Sequence, residues 1–371
     1  MPKYSSLTGK ANTRLPESYQ ASHQLCFTVH DIMVQLLVSG QQASVFNIGI
    51  KFRDEADRLA LEQADDIFAW LEQSCRAEER ADLLVTTVFP AVLGDMLHCF
   101  YEALETSRKG KLGITFMLLR KPLQEGLFLL ESVVADRRSF SDTLASEPVR
   151  LWSQTAGGVE VHMKRIQKVL DALEEGHRFD AGYLAQLRYD KDAEDGFDGI
   201  CNTAMHLFTS HKAIRTKPLN INFIFSDAES TRTQWSYLYS RLPYLLVYMH
   251  RIVERVCATI APTDLAYVDD MDRRVSALVL LWWETVESRY AEPRLHNFVE
   301  KTRDWLVAHC KTAGRHAPNR RDLVRMAKTG AYPGEPRSEI AARNLGFAQA
   351  AAASTRWSIT AIRPHSTRSS F

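Results

Sequence analysis

The chain has no close pair of cysteines. Its six cysteines are spread over the whole length, at positions Cys26, Cys75, Cys99, Cys201, Cys257 and Cys310. Zinc ribbons and small disulfide-stabilised folds both need cysteines at short, regular spacings. We therefore predict a fold that is held by its hydrophobic core, in which the cysteines are small apolar residues, and we expect a reducing, cytoplasmic compartment.

Long uncharged apolar runs are also absent. No such run reaches the roughly 18 residues that a membrane-spanning helix requires. The most apolar segments are interrupted by polar side chains such as Arg120, Gln124 and Arg241. The first residues, MPKYSSLTGKANTRLPESY, contain no apolar stretch of the kind found in a secretory signal. These absences predict a protein without a membrane segment.

Several catalytic signatures are missing from the sequence. It contains no glycine-rich phosphate loop, no Gly-x-Ser-x-Gly elbow and no His-Glu-x-x-His pair. This argues against a P-loop nucleotide-binding protein, an α/β-hydrolase and a zinc protease of the common type. We therefore expect no cofactor and no bound metal ion.

What the sequence does have is helical periodicity. With 371 residues, 45% hydrophobic and 25% charged, the composition is that of an ordinary globular protein with a substantial core. Apolar residues recur every three or four positions over most of the length. The main predicted helices cover residues 52–76, 78–108, 112–136, 159–175, 229–259, 266–289 and 292–311. We predict an all-α fold, a multi-helix array, with one short extended segment near residues 219–225, where the sequence LNINFIF departs from the helical pattern.

The sequence predicts three parts of the chain. Pro148 and the pair Gly157-Gly158 separate an N-terminal helical subdomain, residues 1–147, from a second one, residues 159–311. We expect the two subdomains to pack on each other around a shared core. Residues 312–371 are predicted to be a basic helical extension that ends in a disordered tail.

The most apolar helical run contains Pro122. A proline inside a helix cannot donate its backbone N–H and disfavours the α region for Lys121, so we expect a kink or a restart there. Arg120 and Glu131 are eleven residues apart, about three turns, and Gln124 lies between them. These three polar residues are predicted to be buried together, as a structural network or as part of a ligand pocket. The apolar stripe beside them comprises Phe116, Met117, Leu123, Leu127, Leu130 and Val134.

A short motif near the C-terminus carries a family resemblance. Arg303-Asp304 is followed by His309, and this spacing resembles the Arg-x(4–6)-His signature of the HEPN superfamily of helical proteins. The resemblance covers only these seven residues. It implies a metal-independent ribonuclease of the toxin or defence kind, often assembled as a homodimer. His309 would then act as general acid or base, and Arg303 would stabilise charge on the phosphate. The alternative is that all three residues lie on the exposed face of an amphipathic helix.

A second group of cations precedes the predicted extended segment. His206, His211 and Arg215 lie in the run HLFTSHKAIRTKP. Together with Arg120 they could form a pocket for an anionic ligand such as a phosphate, because guanidinium groups bind such anions in a bidentate manner. Alternatively, they are cations at a helix C-terminus, where positive charge suits the helix dipole.

Charge is distributed unevenly along the chain. The net charge is +1, but residues 311–371 carry +8 and residues 1–310 carry −7. A basic segment of this kind favours a polyanionic partner, most simply RNA. The other possibility is that this segment lies on the protein's own acidic surface. The sequence therefore supports two hypotheses, a HEPN-like RNA-cleaving protein and a non-catalytic helical protein that binds a partner or an anionic ligand.

Overall fold

The computed structural model describes residues 13–151, 158–205 and 227–360. All regular secondary structure in these ranges is helical, so the predicted all-α fold is confirmed. The predicted extended segment near 219–225 lies outside the described residues, as do His206, His211 and Arg215. The helices are α1 (Gln20–Gln42), α2 (Glu55–Gln63), α3 (Ile67–Gln73), α4 (Ala77–Arg108), α5 (Leu112–Lys121), α6 (Leu127–Ala135), α7 (Arg137–Ser146), α8 (Gly158–Leu173), α9 (Ala181–Tyr189), α10 (Phe197–Ala204), α11 (Ala228–Ile260), α12 (Leu265–Trp283), α13 (Pro293–Thr312), α14 (Arg320–Thr329) and α15 (Arg337–Thr360).

Acidic and amide side chains fix where many of these helices begin. Each such residue precedes a helix and accepts hydrogen bonds from backbone N–H groups of the first turn, which have no partner within the helix. These N-caps are Asp54, Asp66, Asp136, Asp180, Asp227, Asp264, Glu292 and Asn319. The cap at Asp66 explains why the helix predicted over 52–76 is two helices, α2 and α3.

Helix α11 is the centre of the fold. Every residue from Thr233 to His250 is buried, so this helix has no solvent-facing stripe over five turns. Helices α1, α5, α6 and α8 pack against it. The buried apolar residues form one continuous cluster that extends from Leu15 to Ala327. N-terminal and C-terminal helices therefore contribute to the same core.

Pro122 does not break its helix. Residues Pro122–Gly126 form a π-helical turn that joins α5 directly to α6, and the N–H of Leu127 donates to the carbonyl of Pro122. The prediction that Lys121 leaves the α region is wrong, because its φ and ψ are −58° and −53°. The wider π turn contains an extra residue, which makes room for the proline ring and leaves a backbone carbonyl free for other partners.

Among the described residues, helix α4 is long and apolar enough, by length and composition alone, to cross a membrane. Core helices of soluble proteins meet the same criterion. Here α4 packs against α1, α5 and α7.

Candidate ligand-binding clefts

Glu131 is the centre of a buried polar network. Its side chain has no exposed surface and contacts two guanidinium groups, those of Arg188 and Arg165, the latter at 2.9 Å. The hydroxyl of Tyr248 donates to the same carboxylate at 2.9 Å. Burial by itself would raise the pKa of Glu131, but Arg188 and Arg165 together hold it below its ordinary value of 4.5. The carboxylate is therefore ionised and fully paired at neutral pH.

The π turn supplies the rest of this network. The carbonyl of Leu123 accepts a hydrogen bond from Nε of Arg188 at 2.7 Å. The side-chain amide of Gln124 donates to the backbone carbonyl of Arg188 at 3.1 Å and also to Asp198. The Leu123 carbonyl, within the π turn, thus accepts a hydrogen bond from a charged side chain. Gln124 and Glu131 are buried in the same network, as the sequence predicts. The network lies where the π turn and α6 meet α8, α9 and α11. Its hydrogen-bonding groups already have partners, so few remain for a ligand.

Arg120 has no contact with Glu131 and reaches this network only through Asp198, the partner of Gln124. Its side chain is one-third exposed, its Nε lies 3.9 Å from Asp198, and its Nη1 lies 3.9 Å from the sulfur of Met205. The prediction that Arg120 is buried beside Glu131 is wrong, because the extra residue of the π turn rotates the two positions away from a common face. Met117, which the stripe places in the core, is 47% exposed, so this part of the prediction is also wrong.

The three residues of the HEPN-like motif lie on α13 with different partners. Arg303 is about half exposed and pairs with Glu300 of its own helix. Asp304 is 69% exposed and lies 4.0 Å from Lys301. No hydrogen bond or ion pair joins Arg303 to His309 in the described part of the chain. The two side chains are six residues apart, which separates them by well over a right angle around the helix.

His309 itself is held firmly. Its Nε2 lies 2.6 Å from a carboxylate oxygen of Asp269 and 2.9 Å from the hydroxyl of Tyr332. The ring stacks on Trp305, with 4.8 Å between the ring centroids. Only about a quarter of the side chain is exposed. This arrangement orients one imidazole against one carboxylate at the junction of α12, α13 and the segment after α14.

Part of the basic C-terminal segment lies on the acidic surface of the protein. Arg343 of α15 pairs with Asp270 at 2.9 Å and also with Glu335. Arg320 pairs with Glu284 at 3.0 Å, and Arg325 donates to backbone carbonyls near the start of α15. These contacts use some of the positive charge that a polyanion would need. Among the described residues, no His, Cys, Asp and Glu side chains are grouped so that they could hold a metal ion.

An apolar cleft lies between α1, the end of α11, α12 and α15. Its volume is about 660 Å³. The apolar wall includes Leu36 of α1, Ile260 of α11, Met271 of α12 and Phe347 of α15. Phe347 also packs edge-on against Tyr267, with 5.8 Å between the ring centroids. Sequence reasoning missed this cleft, because a concavity depends on how four helices pack and has no signal in any one of them.

The charged groups around this apolar cleft already have partners. Nε of Arg274 donates to Asp270 at 2.7 Å. Asp264 caps α12, and Asp31 accepts a hydrogen bond from His30 at 2.9 Å. Burial raises the pKa values of Cys257 and Tyr267 to about 12, so both side chains are neutral at physiological pH. The wall of the cleft is therefore mainly apolar, and its charged side chains are hydrogen-bonded to neighbouring groups.

Comparison of this chain with protein-family models, with curated proteins and with solved structures finds no match.

Proposed function

We propose that this protein is a non-catalytic binding protein that takes a mainly apolar small organic molecule into the apolar cleft. The observation that carries the proposal is the volume of about 660 Å³ together with an apolar wall. Clefts for drug-sized ligands typically measure about 300–1,000 Å³ and combine apolar walls with a few polar groups. Gln35 and Thr263 are uncharged polar groups at this cleft, and they could orient such a ligand.

The chemistry of the lining supports binding more than catalysis. Cys257 has a thiol that burial keeps protonated, so it is a poor nucleophile. The two carboxylates of the cleft, Asp31 and Asp264, are engaged in local hydrogen bonds. A ligand would therefore gain free energy mainly by removing its apolar surface from water.

The test uses the fluorescent apolar probe N-phenyl-1-naphthylamine. We expect saturable binding to the wild type, and a loss of about tenfold or more in affinity for Leu36→Trp, because the indole would occupy the cleft. Val38→Trp is the matched control. It lies two residues away on α1, is 36% exposed and does not line the cleft, so probe affinity should stay unchanged. Absence of saturable binding to the wild type, or equal affinity in the two folded variants, would contradict the proposal.

RNA cleavage at His309 is a second proposed function. It is favoured by the 2.6 Å contact between His309 and Asp269, since a carboxylate that orients an imidazole is a common arrangement for a general base. Arg303 would have to leave Glu300 to reach the same phosphate, or come from the second copy of a homodimer. The basic segment of residues 311–371 would help to hold the RNA.

The ribonuclease proposal is tested on the purified full-length chain with labelled single-stranded RNA. If it is correct, His309→Ala should reduce cleavage by about 10²–10⁴-fold, the usual contribution of a general acid or base. His296→Ala, on the same helix and 59% exposed, should leave the rate unchanged. Cleavage that persists in His309→Ala, or a wild type that leaves RNA intact, would rule this function out.

A further inference from the structure

A second, polar cleft is lined by a different set of α12 residues from the apolar one. Its volume is about 220 Å³, and it opens between the α8–α9 connection, α11, α12 and the α13 residue Trp305. At about 30 Å³ per molecule, this space would hold several waters or one small organic molecule. It shares no lining residue with the apolar cleft.

Charged side chains dominate this polar cleft and its surroundings. Arg251 donates to three carboxylates, those of Glu175 at 2.7 Å, Glu254 at 2.7 Å and Asp272 at 2.8 Å. Arg178 donates to Glu175 at 3.2 Å from the other side. The three carboxylates outnumber the two guanidinium groups by one. Burial raises the pKa values of both Glu254 and Asp272, although the neighbouring Arg251 lowers them.

His250 makes this polar cleft more than a structural ion-pair cluster. The side chain lines the cleft and is only 1% exposed. Neither of its ring nitrogens has a hydrogen-bond partner within the described ranges, and Nε2 lies 3.5 Å from a Glu254 oxygen without bonding geometry. Burial, assisted by Arg251, lowers the pKa of His250 to about 4, so the ring is neutral and offers one acceptor and one donor.

Buried polar groups without partners are rare because each loses its hydrogen bonds to water on folding and gains none in return. A ligand that filled this cleft would therefore be expected to hydrogen-bond with His250. It would also be favoured by positive charge, which would offset the excess carboxylate. The indole of Trp305 forms part of the wall, and aromatic faces attract cations.

We propose that the polar cleft is a binding site for a small organic cation of the primary ammonium class. The ammonium group would donate a hydrogen bond to the unprotonated ring nitrogen of His250, beside the carboxylates that surround Arg251. A short aliphatic part would lie against Trp305. The site is independent of the proposed apolar-ligand function, since the two clefts have separate walls.

The test is a titration of the full-length chain, labelled with ¹⁵N at histidine, with three probes of similar size. These are n-propylammonium, propionamide and propionate, at constant ionic strength. We expect the imidazole nitrogens of His250 to shift saturably with n-propylammonium only. An equal shift with propionamide or propionate, or no saturable shift with any probe, would overturn the proposal and leave water as the occupant of the cleft.

Variants give a second measurement. Asp272→Asn removes one of the three carboxylates that would attract the ammonium group, with little change of shape. The affinity for n-propylammonium should therefore fall by about tenfold or more. Asp304→Asn is the control, because it removes an exposed carboxylate of α13 that does not line the cleft. Unchanged affinity in folded Asp272→Asn would overturn the assignment. If that variant does not fold, the titration of the wild type decides alone.

Discussion

Glu131 has no exposed surface, yet it is ionised, because two guanidinium groups and a tyrosine hydroxyl replace the water it loses on folding. A buried charge of this kind makes each partner dependent on the others. Removing one partner leaves the remaining charges buried without compensation, which is far more costly than never having buried them. The stability of the network therefore depends on all of its members being present.

We predict that Glu131→Gln lowers the free energy of unfolding by about 3–5 kcal/mol at pH 7, because Arg165 and Arg188 lose their counter-ion. Urea unfolding followed by circular dichroism measures this change. Glu125→Gln is the matched control, since Glu125 lies in the neighbouring π turn but is exposed, and its effect should stay within about 0.5 kcal/mol. Similar losses in the two variants would show that the buried ion pairs contribute little.

A comparison of the wild type with Glu131→Gln also predicts how stability depends on pH. The pKa of Glu131 is lower in the folded protein than its ordinary value of 4.5. The stabilisation from its ionised form is therefore present above about pH 4.5 and is lost as the pH falls through the lower, folded-state value. The stability difference between wild type and Glu131→Gln should shrink below pH 4.5. A difference that stays constant from pH 7 to pH 3 would contradict this assignment.

How far the sequence predicts single residues depends on what specifies them. The burial of Glu131 and Gln124 follows from helical periodicity, which needs only local spacing. The partners Arg165 and Arg188 come from other helices, and no pattern in the sequence indicates which guanidinium meets which carboxylate. The unpartnered His250 gives no sequence signal at all, because it lies among apolar residues like any core histidine.

At the level of the element, the π turn between α5 and α6 depends on a close approach to α4. A Cβ placed on Gly126 would lie 2.5 Å from Cγ of Met96, which is fully buried. By contrast, a Cβ on Gly94 of α4 would have its nearest neighbour, Leu37, at 3.9 Å. Two helical glycines thus have opposite roles, one required by packing and one not.

We predict that Gly126→Ala destabilises the protein by about 1–3 kcal/mol, since the overpacking of Met96 exceeds the gain in helix propensity. Gly94→Ala should instead stabilise it by about 0.5–1 kcal/mol, because alanine loses less backbone entropy than glycine in a helix. Thermal unfolding of both variants measures the difference. Stabilisation by Gly126→Ala would mean that α4 does not approach the π turn this closely.

Helix positions were largely predictable, and helix continuity was not. The predicted limits of the helix over 229–259 differ by one residue at each end from those of α11, because its apolar pattern is long and is capped by Asp227. The segment 52–76 is split because Asp66 can serve either as an exposed helical residue or as a cap. At Pro122 the prediction errs in the other direction. The sequence predicts a kink or a restart, whereas a π turn joins α5 directly to α6.

At the level of the whole molecule, the basic segment of residues 311–371 and the acidic body of residues 1–310 have complementary charges. Arg320 and Arg343 of the basic segment pair with acids of the body. The sequence shows the imbalance between residues 1–310 and 311–371, but only the packing of α14 and α15 reveals how much of it is internal. Binding of a polyanion by the rest of this segment stays a prediction.

The burial of α11 on all sides has a consequence for how the protein is made. Helices α1 to α10 precede α11 in the chain, so they leave the ribosome before the helix against which α1, α5, α6 and α8 pack. Until Ile260 has been synthesised, their inner faces can be shielded only by one another or by a chaperone. A message truncated before that codon would therefore yield a product destined for aggregation or proteolysis, and not a smaller protein with part of the activity.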